Sequence, residues 1–382
     1  MAEVFLNRFH IVKPKNCISQ SDLLSWIISS HQYAESQLKP IDQIDSHLIE
    51  KLFRRYSVNP SQISQRYLEC DDIISKNFQE NVIYRINSDQ KSGSDITNRA
   101  HFFSHRAMSA FRQFYPLNEN KERPDHIIHV TCTGYISPSA AQKMVVLKEW
   151  GHSTDITHAY HMGCYASMPA VRIAQGLVIS ESVQNSNYGV DIVHTEMCGL
   201  HMNPLAQTPE QMIVQTLFAD GHIKYSASTK KEKPGKNLKI LAQLEKIIPD
   251  SEQDMSWIST PWGMEMNLSR DVPSKIKMVI EDFSKKLCSK AKLNLNELEN
   301  SIFAIHPGGP KIIDSVQEIL TLKEQQITES RKILFERGNM SSATLPHVWS
   351  EILDHEYSVG TKVISFAFGP GLTLFGSVFE IC

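Results

Sequence analysis

Hydrophobic and polar positions change period several times along this chain, and each change marks an element. The opening stretch MAEVFLNRFHIVKPKN alternates like a strand, whereas residues 21–35 and 40–57 repeat apolar side chains at helical spacing, with Ser21 and Asp45 as start signals. Residues 88–98 (SDQKSGSDITN) are polar and turn-prone. They read as a surface loop leading into a helix that carries Phe102, Phe103, Met108 and Phe111. From Asp125 onward, strand and helix alternate. HIIHVTC at 126–132 is a short apolar strand, 138–150 a helix, 165–179 a helix after Cys164, and 190–197 another strand. The run 214–227 (VQTLFADGHIKYSA) reads as a hairpin around Asp220 and Gly221.

The polar, Gly- and Pro-containing run KKEKPGKN at 230–237 separates two similar stretches of such alternation. Beyond it the pattern predicts helices at 272–291, 310–322 and 341–353, a strand at 302–305, and two closing strands at 362–368 and 372–381. Pro346 conflicts with the third of these helices, so that helix either kinks or starts late. The expectation is an α/β protein of two layered halves, 1–229 and 238–382, without a residue-level repeat between them.

Composition adds mainly exclusions. The chain has 382 residues, 41% hydrophobic and 21% charged, enough for two ordinary domains. It has no apolar run near the roughly 18 residues of a membrane span. The first residues lack the charged start, apolar block and small-residue cleavage site of an export signal. Seven scattered cysteines do not make a disulfide framework, so a reducing cytoplasm is expected and a special cysteine would be chemical. A net charge of −3, with no long basic tract, argues against a nucleic-acid partner. One local cluster stands out: in EKLFRRY, Lys51, Arg54 and Arg55 fall on one helical flank, either a solvated face or a site for a phosphate-bearing ligand.

Three separated segments carry the candidate chemistry: Cys164 in HMGCYAS, His306 in FAIHPGGP and Asn339 in RGNMSS. A thiol, an imidazole and a carboxamide brought together supply a nucleophile, its proton acceptor and a polar cradle for a developing oxyanion. Cys164 opens an apolar helix after a glycine, where the helix dipole and an imidazolium at His306 would favour thiolate. Taken singly, each residue has a plainer role: an inert buried thiol, a strand end, a helix cap. Two groupings suggest a metal instead, His194 with Cys198 and His201, and His158 with His161 and Cys164, but neither has a paired zinc-ligand spacing, so no metal is expected.

GCYAS, HPGGP, GNMSS and FGPGLT (368–373), in this order, resemble the type III polyketide synthases, the chalcone synthase-like family of the thiolase superfamily. CTGYISP, LFADG and DVP support the resemblance, which runs from about Lys51 to Cys382. It implies a thiolase-like αβαβα fold of two pseudo-symmetric halves, with Cys164 as acyl-holding nucleophile and His306 and Asn339 completing the triad. It also implies Phe218 as a gatekeeper between a CoA tunnel and the inner cavity, and Lys51 and Arg54 as contacts to CoA phosphates. Met266 stands where plant members carry a second gatekeeper phenylalanine. Cys132 and His201 replace pocket-lining threonines, and Ser137 replaces a methionine that crosses the dimer.

The implied activity is acyltransfer: a starter on Cys164, decarboxylative Claisen condensation with malonyl-CoA, and release by cyclisation as a pyrone or resorcinol. The implied assembly is a homodimer, with CoA thioesters as substrates and no other cofactor. Two alternatives stay open: a ketosynthase making a single condensation of two acyl thioesters, on CoA or an acyl carrier protein, and a non-catalytic acyl-thioester binder.

Overall fold

Strand residues that alternate between two apolar layers set the architecture. In the strand Lys362–Gly369, Val363 and Ala367 join one buried cluster while Ile364, Phe366 and Phe368 join another, as the two-residue period of a strand requires. Such a strand is covered on both faces, and the same holds for most of its neighbours.

The computed structural model describes residues 2–40, 43, 45–119 and 123–382. Its strands are β1 Phe5–Val12, β2 Asn16–Ser19, β3 Gln65–Leu68, β4 His126–Thr131, β5 Asp155–Tyr160, β6 Gly189–Met197 and β7 Asp220–Ser228. They continue as β8 Leu238–Ile247, β9 Met255–Ser259, β10 Met264–Leu268, β11 Ile302–Ile305, β12 Lys362–Gly369 and β13 Thr373–Ile381. The main sheet runs β11-β12-β13-β8-β1-β7-β6-β4-β5. Its seam lies between β1 and β8, which pair only at Phe5–Lys239 and Leu6–Leu238. Five strands therefore lie on one side of the seam and four on the other, and the loop 230–237 connects the two groups.

Three apolar layers follow. Between the two groups of strands, helices Ser167–Glu181 and Thr344–Asp354 bury Ala174, Val178, Val348 and Trp349 against Val130, Ile192, Val363 and Phe379. One outer face is covered by Gln20–Ser36, Ile96–Phe114 and Ala140–Leu147, which pack on Ile127 and Val193. The opposite face is covered by Val272–Lys290 and Pro310–Leu320, which pack on Ile364 and Phe366. The result is the expected α/β order of layers, α-β-α-β-α. Trp349 is fully buried at the centre, with its indole N–H donating to Ser365 Oγ at 2.8 Å; trimming it to alanine would cost about 3–5 kcal/mol.

Several local expectations are modified by the structure. The first helix begins at Gln20 under a Ser19 cap, one residue before Ser21. Of the helix expected at 40–57, residues 41, 42 and 44 lie outside the described residues, as does Met1 of the opening stretch. The described part is Ser46–Tyr56, capped by Asp45, whose carboxylate accepts the Leu48 N–H at 2.8 Å. The hairpin expected at 214–227 does not form. Thr208 and Pro209 instead start the helix Pro209–Leu217, and Asp220 and Gly221 begin β7, paired with Met197 and Glu196. An Asp-Gly pair usually signals a turn. Here the Asp220 carboxylate is consumed by the N–H groups of Glu69 and Gly199, both at 2.7 Å, and Gly221 makes room for Met340. Pro346 marks a late start: Ser341–Ala343 is a 3₁₀ turn and the α-helix begins at Thr344, so the proline sits in the first turn, where a missing N–H costs little.

Candidate active site

Each candidate side chain sits just past the end of an element. After β5 the chain turns through His161 and Gly163, at φ 59° and 81°, before the helix starts at Ser167. Cys164 lies inside that turn. Gly163 has to be glycine on two counts, because a Cβ there would also meet Pro370 Cδ at 2.3 Å. Gly369 returns the fit, since its Cβ would meet Tyr165 Cδ1 at 2.1 Å. The GCYAS and FGPGLT segments thus pack against each other through their glycines.

His306 directly follows β11, and its N–H donates to Phe366 O at 2.8 Å. Asn339 follows Gly338, at φ 73°, and its backbone is clamped to the segment bearing Phe218: its N–H donates to Leu217 O at 3.0 Å and its carbonyl accepts the Ala219 N–H at 2.8 Å. Its side-chain oxygen accepts the Ser341 N–H at 2.9 Å and the Thr344 hydroxyl at 3.3 Å. The amide NH₂ is thereby left to face the cavity and Cys164.

Cys164, His306 and Asn339 line one cavity of about 430 Å³, together with Phe218 and Met266. This volume is in the range of small-molecule sites. Cys132 shares a small inner chamber with Cys164, and its sulfur accepts the Gly163 N–H at 3.0 Å; His201 lines a second inner chamber. The cationic helix flank faces partly solvent and partly the cavity. Lys51 and Arg54 are exposed and not among the residues lining the cavity, and Arg54 pairs with Glu50 at 2.7 Å. Arg55 of the same helix lines the outer part of the cavity, joined by Arg270 and Lys311. The histidines of the metal groupings bond to protein: His194 to Ser342 and Tyr225, and His201 to Thr133 O and the Met264 N–H.

The electrostatics correct the expected ion pair. Burial pushes the Cys164 thiol up to about 12, against hydrogen bonds to the Ser341 hydroxyl and the Asn339 amide that pull it down. Burial also pushes His306 down to about 3. Burial thus favours a neutral thiol and a neutral imidazole. Two physical reasons account for this: the helix begins three residues after Cys164, which weakens its dipole there, and no charged group faces either residue closely enough to offset desolvation. Both ring nitrogens of His306 are buried without a hydrogen-bond partner, an arrangement that proteins rarely leave unfilled.

Supporting residues are invisible to motif reading. Arg66, fully buried, donates from one terminal nitrogen to the carbonyls of Gln215 and Phe218, both at 2.8 Å, and so fixes the Phe218 backbone. Glu196 accepts from the Cys132 N–H, the Thr133 hydroxyl and the Ser342 hydroxyl. Trp257 lines both inner chambers. The available signal for Glu196 was a carboxylate, one of two with Asp191, in a mostly apolar strand; Arg66 and Trp257 gave none.

Residues 239–381 match the family of chalcone and stilbene synthases, C-terminal domain. Type III polyketide synthase C of Arabidopsis thaliana is 28% identical over 260 residues, 66% of each protein. Probable polyketide synthase 1 of Dictyostelium discoideum is 26% identical over 86% of this chain but only 10% of its own length. Among solved structures, the C-terminal type III polyketide synthase domain of Steely1, a type I/III hybrid from Dictyostelium, superposes with a TM-score of 0.81 at 23% identity, covering 99% of both chains. PKS-I of the brown alga Ectocarpus siliculosus does so with a TM-score of 0.83 at 20% identity, covering 100% of this chain and 99% of that one. Likenesses at such identities speak for the fold, which is thiolase-like. The C-terminal part of the chain thus matches the chalcone and stilbene synthase family, and much of its length is similar to plant and amoebal polyketide synthases, of whose own lengths it spans 66% or less.

Proposed function

We propose that this protein loads an acyl starter from CoA onto Cys164, decarboxylates malonyl-CoA in the same cavity, and joins the two in repeated Claisen condensations. The observation that carries this reading is the meeting of Cys164, His306 and Asn339 in one cavity, with both nitrogens of His306 buried and without a hydrogen-bond partner.

In loading, neutral His306 takes the thiol proton as sulfur attacks the thioester carbonyl, and CoA leaves as the thiol with that proton. For extension, the bond from the malonyl carboxylate to its α-carbon breaks and CO₂ departs. The electron pair stays behind as an enolate, whose oxygen is held by the His306 N–H and the Asn339 amide. An apolar wall at Phe218 and Met266 disfavours the charged carboxylate relative to neutral gas. The enolate carbon then attacks the acyl carbonyl, and the Cys164 sulfur leaves and can be reloaded. Release by cyclisation would give a pyrone or resorcinol. Arg55, Arg270 and Lys311 are suited to the phosphates of CoA. We place the enzyme in the cytoplasm as a homodimer. Among the described residues, no helix is long and apolar enough to cross a membrane.

The test is incubation of the purified protein with malonyl-CoA and a panel of acyl-CoAs, with mass spectrometry of both the Cys164 adduct and the products. Products longer than the starter by several two-carbon units are expected. A single condensation would replace the iterative reading with a ketosynthase, and an unmodified Cys164 with no CO₂ release would overturn both.

A further inference from the structure

Behind Phe218 lies an inner chamber of about 20 Å³, room for about one water or one carbonyl oxygen. Strand β3 supplies part of its wall. The two-residue period of that strand buries Arg66 and Leu68, and both line the chamber. A guanidinium is thereby carried into a largely apolar interior, where each N–H without an acceptor costs free energy.

Its five N–H groups can be followed one by one. The Nε–H donates to Gln20 Oε1 at 2.8 Å, and the two N–H groups of Nη1 go to the carbonyls of Gln215 and Phe218, both at 2.8 Å. The remaining nitrogen, Nη2, is buried and without a hydrogen-bond partner among the described residues. Because the group is planar and three acceptors already hold it, the direction of Nη2 is fixed. All three acceptors are neutral oxygens. Burial pushes the guanidinium down only to about 9, so it stays charged at neutral pH. Neighbouring nitrogens around the chamber are committed elsewhere: both of His201 to Thr133 O and the Met264 N–H, that of Gln215 to the carbonyls of Asn203 and Ala206, and the indole of Trp257 to Cys132 O. Holding the Phe218 backbone requires Nη1 alone, so that role leaves Nη2 unexplained.

The chamber adjoins the one lined by Cys164. Cys198, Phe218, Trp257 and Met266 line both, so an acyl chain that runs inward from the Cys164 sulfur passes between them toward Arg66. We infer that Arg66 is a substrate-binding residue whose Nη2 donates to an oxygen carried by the acyl chain on Cys164, so that the protein selects oxo-acyl groups over plain hydrocarbon chains of the same length. This rests on the acyl-loading role proposed for Cys164 and deepens it by naming a substrate class. A ketone suits the chamber, since its one oxygen takes the room of a water while its carbon neighbours meet the apolar Leu68, Val214 and Met264.

The experiment sets each positional oxo isomer of hexanoyl-CoA in competition with hexanoyl-CoA for Cys164 of the purified wild type, read by intact mass. At least one isomer is expected to win by about tenfold or more, the usual worth of a hydrogen bond to a charged group. Arg66→Lys and Arg66→Gln should lose that preference and still load the hexanoyl group. Since Arg66 also holds the Phe218 backbone, a second readout needs no variant: the infrared stretch of an isotope-labelled ketone in the wild-type adduct of the winning isomer. Bonded to a guanidinium, the ketone should absorb below its position in water. Equal loading of all the acyl groups, a stretch at or above the water position, or a preference kept by folded Arg66→Gln would each overturn the inference, and Nη2 would then serve a resident water only. If oxo chains load preferentially but malonyl-CoA yields neither CO₂ nor a longer product, the condensing role fails while the assignment of Arg66 stands. Condensation without any oxo preference gives the reverse, and no loading of any acyl-CoA overturns both.

Discussion

The side-chain oxygen of Asn339 accepts the backbone N–H of Ser341 at 2.9 Å, which settles the direction its amide faces. A backbone N–H can only donate, so the oxygen must turn toward it and the NH₂ toward the cavity. Ser341 reaches this position in a left-handed conformation at φ 51°, which is costly for a residue with a side chain. That cost is borne where Asn339 is aimed.

Asn339→Asp therefore tests function with little change of shape. A carboxylate cannot donate to a developing enolate oxygen, so malonyl decarboxylation should fall by about 100- to 1,000-fold. Acylation of Cys164 should be affected far less. Release of labelled CO₂ and intact-mass loading separate the two, and an unimpaired decarboxylation rate would remove Asn339 from the proposed mechanism.

Because burial favours a neutral thiol and a neutral imidazole, the reactivity of Cys164 near neutrality should depend on His306 as proton acceptor. His306→Gln is expected to slow alkylation by iodoacetamide at pH 7–8 by about tenfold or more, within the usual worth of a general base. The gap should close as pH rises, because hydroxide then removes the thiol proton. An equal rate in both proteins at pH 7 would mean that the thiol ionises without the imidazole.

Acid stability should be poor, and the sign can be worked out. Burial holds His31 near pKa 4 and His129, His201, His306 and His347 near 3, against about 6.5 in an unfolded chain. Below about pH 6.5 the unfolded chain binds protons that the folded one refuses. Stability is thus full above that pH and is lost as pH falls toward 4, at up to about 1.4 kcal/mol per pH unit for each such histidine. Denaturant midpoints at pH 7.5, 6 and 5 should fall steeply and in that order. A flat profile would contradict the buried, neutral assignment.

Gly163→Ala joins fold and site. The added methyl meets both a positive φ and the Pro370 ring at 2.3 Å, so a loss of about 1–3 kcal/mol is expected from overpacking, with strain added. The turn carrying Cys164 should shift with it. A lower melting temperature together with slower Cys164 acylation is the expected pair; an unchanged acylation rate would show that the interlock with FGPGLT does not position the thiol.

Much of the architecture was legible along the chain because burial on two faces, or on one, leaves a period. The strand at 302–305 appears with the boundaries expected, and Asp45 caps its helix through a bond within four residues. Pro346 announced either a kink or a late helix start, for a reason internal to the backbone, and the late start is what forms. The misreadings have a common origin. Asp220-Gly221 looks like a turn until the N–H groups of Glu69 and Gly199, far off in sequence, claim the carboxylate. Cys164 and His306 looked like an ion pair until the depth of their burial was known.

The type of many elements, and the three segments bearing thiol, imidazole and carboxamide, were legible in the sequence alone, since both rest on local periodicity and on side-chain chemistry. Only the tertiary structure decided that Arg55 rather than Lys51 or Arg54 lines the cavity, that Arg66 holds the Phe218 carbonyl, and that Trp257 lines both inner chambers. Those outcomes depend on distances between residues remote in the chain and on the desolvation that packing imposes, and neither quantity has a local signature.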